Sequence, residues 1–89
     1  MKKTKEFLTR ASTLVAGDRE KDYGDKDHNH NNIAKLWSAY LDVEVKAHDV
    51  AIMMALLKVA RTKFGAPTED TYVDAAAYMA IAGECKHED

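Results

Sequence analysis

The sequence predicts an all-α fold, a small four-helix domain with a long ordered loop between its first two helices and an oligomeric working state. Apolar residues recur at the helical period in four separate stretches. The stretches end at helix punctuation, Gly17 after the first and a Gly65-Ala-Pro67 turn after the third. The one alternating segment, Asp42-Val-Glu-Val-Lys46, is too short to build a sheet and reads as an extended connector.

The first helix spans about Thr4 to Ala16, where Phe7, Leu8, Ala11, Leu14 and Val15 form one stripe. From Gly17 to Asn32 the chain reads GDREKDYGDKDHNHNN, dominated by residues that favour turns and caps. Loops longer than about 12 residues are usually functional or disordered, and Tyr23 supplies an aromatic anchor, so an ordered loop is expected here. The second helix runs about His30 to Leu41 on a stripe of Ile33, Leu36, Trp37, Tyr40 and Leu41. The third runs about His48 to Phe64, with Val50, Met53, Met54, Leu57, Ala60, Arg61 and Phe64 in helical spacing. Thr68 is a good N-cap for the fourth, Glu69 and Asp70 suit its first turn, and Tyr72, Val73, Ala76, Ala77, Ala80 and Ile81 carry it to about Glu84. The tail Lys86-His-Glu-Asp89 has nothing apolar to hold it and is expected to fray.

At 89 residues the chain is one domain, residues 1–89. A domain of this size buries only about 60–65% of its unfolded surface, so a homo-oligomer is expected. Thirteen Lys and Arg against fifteen Asp and Glu leave a net charge of −2, without the basic excess that binds duplex nucleic acid. No apolar run approaches the length needed to cross a membrane, and the basic start is interrupted too soon for a signal peptide. The single Cys85 points to a reducing compartment, and the expected location is cytoplasmic.

The short connection between helices three and four makes them antiparallel neighbours, so residues whose numbers sum to roughly 133 should face one another. Lys58 and Arg61 then lie opposite the start of helix four, where Asp70 and Asp74 share a face, and Asp49 approaches Glu84 at the other end. The two cations and two carboxylates have three readings. They form surface ion pairs, worth about 0–1 kcal/mol each. Asp70 and Asp74 hold Mg²⁺, which takes carboxylate, water and phosphate oxygens. Or Lys58 and Arg61 grip a phosphate, the arginine as a bidentate fork.

In the long loop Arg19, Tyr23 and Gly24 suit a phosphate contact beside an aromatic face that stacks a base, although such a tyrosine more often plugs a loop onto the core. Trp37 is core or a stacking platform, and Met53 and Met54 are core or interface filler. Asp27, His28 and His30 open like a metal site but lack a local ligand motif, so loop hydrogen bonding suits His28 and His30, and helix capping suits His48 and Asp49. No nucleophile is placed beside a base, and no catalytic residue is assigned.

The sequences R-x-x-x-Y-G-D (Arg19 to Asp25), I-A-x-L-W-x-x-Y (Ile33 to Tyr40), D-V-A-x-M-M-x-L-L-K-x-A-R (Asp49 to Arg61) and D-x-x-x-D-A-A-x-Y (Asp70 to Tyr78) stand in that order. Together they resemble a family of small phage and prophage proteins, similar in turn to the MazG-like all-α nucleoside triphosphate pyrophosphohydrolases. The resemblance implies a helical dimer or tetramer that handles phosphorylated nucleotides. Those enzymes hold Mg²⁺ with an E-x-x-E pair on one helix and an E-x-x-D pair on a later one. Asp70 and Asp74 correspond to the later pair at a spacing of four rather than three. The first pair has no counterpart, since residues 33–41 contain no acid and Asp49 has none at Ile52 or Met53.

The reading that unites these signals is a phage-type protein binding a phosphorylated nucleotide without turnover, through Arg19, Tyr23, Gly24, His28, Trp37, Lys58, Arg61, Asp70 and Asp74. In a phage, such binding would sequester a host immune nucleotide signal. The first rival is a Mg²⁺-dependent pyrophosphohydrolase whose carboxylate set is completed by Asp25, Asp27, Asp49 or Glu84. The second is a structural or partner-binding helical module.

Overall fold

A computed structural model describes residues 3–16, 26–63, 65 and 68–87. Among these residues there are four helices, α1 (Thr4–Ala16), α2 (Lys26–Leu41), α3 (Ala47–Ala60) and α4 (Glu69–His87), and no strand. α4 is the element against which the others assemble. It packs most extensively on α3, takes α1 along a second seam, and α2 in turn packs on α3.

The α4 sequence explains its central place. Val73, Ala77 and Ile81 recur every four residues and are buried together with Ala82. Val73 and Ala77 meet Ala11 of α1, with Phe7, Leu14, Val15 and Ala76 packed around them. Phe7 turns its ring edge to Tyr72 at a centroid distance of 6.4 Å, a favourable aromatic geometry. Ile81 and Ala82 meet Ala51 of α3, with Val15, Ile52, Tyr78 and Cys85 around them. Among the described residues, six of the nine buried hydrophobic ones are alanines, which lets helix backbones approach closely but limits the apolar area that each seam removes from water.

Local chemistry sets the helix ends. α2 stops where Asp42 adopts φ +56°, a left-handed conformation that short polar side chains tolerate. The connector is then clamped by Ser38, whose Oγ accepts the Val45 N–H at 2.8 Å and donates to the Val45 carbonyl at 3.1 Å. At the start of α3 the Lys46 N–H donates to Asp49 Oδ2 at 3.0 Å, the carboxylate half of a capping box. The Thr68 N–H similarly donates to Thr71 Oγ1 at 3.3 Å at the start of α4. The capping expected of Asp49 and the start expected beside Thr68 are both found.

Three expectations differ from the structure. The loop expected to reach Asn32 is helical from Lys26, because α2 gains tertiary support from buried His30 and Ala34 that outweighs the turn preference of its asparagines. His30 is therefore a packed helix residue, edge-on to Tyr78 at 6.3 Å, rather than a loop residue. Residues 17–25 lie outside the described part of the chain. α3 ends at Ala60, ahead of the expected Phe64, since the last turn tightens as the Arg61 and Thr62 N–H groups bond carbonyls three residues back and the Thr62 hydroxyl donates to the Val59 carbonyl at 2.7 Å. Gly65, at φ +95°, takes a conformation that glycine alone adopts readily. α4 continues through Lys86 and His87, where frayed chain was expected, with two basic side chains favourably placed in its last turn.

The alanine seams make two tests. Ala51→Leu, at a fully buried position, should lower unfolding free energy by about 1–3 kcal/mol in urea denaturation through overpacking. Ser38→Ala should cost about 1 kcal/mol in the same measurement by opening the connector clamp.

Candidate functional site

The stripe that seats α1 on α4 leaves an open groove beside it, of about 390 Å³, lined by Thr9, Arg10, Thr13, Leu14, Asp70, Val73 and Asp74. Leu14 and Val73 give it an apolar floor. Arg10 follows Phe7 by three residues and precedes Leu14 by four, so the packing of Ala11 carries its guanidinium to the start of α4. There Arg10 Nη1 lies 3.3 Å from Glu69 Oε2, and Nη2 is paired with Asp70. These groups are well solvated, the Asp70 side chain being 72% exposed, so the pairs are worth about 0–1 kcal/mol each.

The second ion pair is of a different kind. Lys58 Nζ of α3 lies 3.2 Å from Asp74 Oδ2 of α4, and the two side chains are only 18% and 15% exposed. Water screens this pair less, and removing either charge leaves the other partly desolvated. The antiparallel register expected from the short Gly65-Ala-Pro67 connection puts these two residues opposite one another, and they are found paired. Both carboxylates of the groove lining are thus paired with a cation, Asp70 with Arg10 and Asp74 with Lys58 of α3. Thr13 donates its hydroxyl to the Thr9 carbonyl at 3.1 Å, which orients it beside Arg10.

Of the residues singled out from sequence, the structure brings Lys58, Asp70 and Asp74 to one end of the molecule. Arg61 caps the end of α3 with its backbone and its side chain is exposed. Asp70 is engaged by Arg10, a residue of α1, where sequence placed Lys58 and Arg61 opposite it. Trp37 is half-buried on α2 and does not line the groove. Arg19, Tyr23 and Gly24 lie outside the described residues, and of His28 only the backbone, in the first turn of α2, is described. Asp49, expected to approach Glu84, has its carboxylate on the Lys46 N–H, with His48 Nδ1 3.7 Å away. Arg10 was not anticipated. Its signal in the sequence is a cation lying within the stripe of Phe7, Ala11 and Leu14, a position that calls for a polar partner on the helix covering it.

Asp70 and Asp74 are each paired with a cation, and no group of three or more His, Cys, Asp or Glu converges among the described residues.

Fold and groove together define a small all-helical domain with an ion-paired, apolar-floored cleft between its first and last helices. The chain belongs to the family described as "Domain of unknown function (DUF6378)", which it matches over residues 6–86. It is 47% identical over 76 residues to the Gene 55 protein of Mycobacterium phage L5, a match covering 84% of this chain and 49% of that protein. It is 40% identical over 72 residues to the Gene 55 protein of Mycobacterium phage D29, covering 81% and 48% respectively. The chain thus spans about half the length of these relatives. No solved structure matches it. None of the described helices is long and apolar enough to cross a membrane.

The contrast between the ion pairs is measurable. Lys58→Met should cost about 1–3 kcal/mol of stability by leaving Asp74 without its cation, and Asp74→Leu added to it should restore much of that loss. Arg10→Met should change stability by less than about 1 kcal/mol. Urea denaturation of the three variants checks the order.

Proposed function

We propose that the chain binds a phosphorylated, nucleotide-type ligand in the α1–α4 groove and holds it without turnover. The observation that supports this reading is the mixture of chemistries lining one groove: a guanidinium, hydroxyls, carboxylates and an apolar floor. A nucleotide offers the matching parts. Its phosphate takes the Arg10 fork in place of the exposed Asp70 carboxylate, with Lys58 adding charge from beyond Asp74. Its sugar hydroxyls donate to the carboxylates, and its base covers Leu14 and Val73. Arg19, Tyr23, Gly24, His28, Trp37 and Arg61 remain in the proposal as groups that reach the ligand from outside the groove lining. Holding without turnover follows from the missing first acidic pair and from two aspartates already occupied by cations. In a phage setting the protein then acts as a sink for a nucleotide signal in the host cytoplasm.

The working unit in this proposal is a homo-oligomer, as the chain's size suggests. The rival module that binds only protein has one specific observation in its favour, the large apolar side chains left exposed on α2 and α3.

A thermal-shift screen of nucleotides, cyclic dinucleotides and ADP-ribose derivatives, with and without Mg²⁺, tests the proposal. A ligand at about 100 times its Kd should add about 2.7 kcal/mol of stability. Arg10→Ala should abolish the shift while leaving the fold intact. Recovery of the ligand unchanged supports holding; recovery of a cleaved product establishes the pyrophosphohydrolase instead, and silence across the panel overturns binding.

A further inference from the structure

α3 reads AHDVAIMMALLKVA, apolar on every side apart from His48, Asp49 and Lys58. A helix of that composition is expected to be covered all round. Only one side is. Val50, Ala51 and Ala55 are buried against the rest of the fold, whereas Met53 and Leu56, on the other side, are 42% and 59% exposed. Asp49, Met53, Leu56 and Ala60 follow the i, i+4, i+7, i+11 spacing of a single outer stripe, flanked by exposed Leu57 and Val59.

Met53, Leu56, Leu57 and Val59 together leave a run of large apolar side chains exposed along this one helix. Charge along the stripe identifies the partner. Asp49 stands at the N-terminal end of the outer face and exposed Arg61 directly after its C-terminal end. An identical helix running antiparallel meets it apolar to apolar in the middle and acid to base at both ends.

We propose that the outer face of α3 is a self-association surface, pairing with α3 of a second copy about a two-fold axis. With the axis between Met53 and Leu56, each Met53 packs on Leu56 of the second copy and each Asp49 faces the second copy's Arg61. Such an isologous contact closes on itself and stops at two chains. The groove lining is built by α1 and α4, so the groove can take a ligand whether or not this contact forms.

Sedimentation over micromolar to sub-millimolar concentrations should give the full chain a mass twice its 9.9 kDa. Leu56→Lys should raise the dimer dissociation constant by roughly 30-fold or more with the far-ultraviolet circular dichroism unchanged. Register is tested separately by Met53→Cys with Leu56→Cys in a Cys85→Ser background, which should form a covalent dimer on mild oxidation while Leu36→Cys in that background does not. A wild-type chain monomeric throughout, a folded Leu56→Lys chain that still dimerises as the wild type does, or cross-linking through Leu36 alone would overturn the proposal.

Discussion

The close seating of α4 between α1 and α3 depends on side chains no larger than they need to be. Ala11, Ala51, Ala77 and Ala82 form the contact points, with Val73 and Ile81 as the larger pieces between them. Close approach brings backbone and Cβ atoms into dispersion contact along two seams at once. It also limits how much apolar surface each seam takes from water, and the large apolar residues of the chain, Leu8, Leu36, Tyr40, Leu56 and Met79 among them, remain outside. A core built this way holds helices at well-defined distances with little energy to spare.

The charged groove follows from that seating. Ala11 against Ala77 fixes the rotation of α1, so Arg10, the preceding residue, reaches the first turn of α4. Ala51 against Ile81 and Ala82 fixes α3, so Lys58, about two turns on, comes level with Asp74. The two pairs nevertheless sit in different dielectric surroundings. One is open to water and can exchange partners at small cost, while the other is shielded by the hairpin that makes it and behaves as part of the framework. The groove therefore carries one adaptable cation, Arg10, while Lys58 behind Asp74 is a fixed one.

Local periodicity made much of this fold legible. The first helix was readable to its ends, Thr4 and Ala16, because its stripe and its glycine stop agree. The onset of α2 was not, since Asp27, Asn29, Asn31 and Asn32 favour turns locally and only the burial of His30 and Ala34 reveals why they are helical. In the groove, Lys58 and Asp74 could be paired from sequence because a short connection sets their register. Arg10 could not be matched to Asp70 in that way. Sixty residues separate them, and no local pattern sets the contact between α1 and α4. The loop residues Arg19, Tyr23 and Gly24 stay an expectation of the sequence, outside the described chain.

Val15 touches both buried clusters, the one shared with Val73 and Ala77 and the one shared with Ala51 and Ile81. The N-terminal helix is thereby wired into the hairpin of the third and fourth helices as well as lying on its surface. Detaching its last turn would uncover two seams rather than one, so small opening motions at its end carry the free-energy cost of a larger unit. Val15 thus reinforces the link that α4 already makes between the first helix and the hairpin.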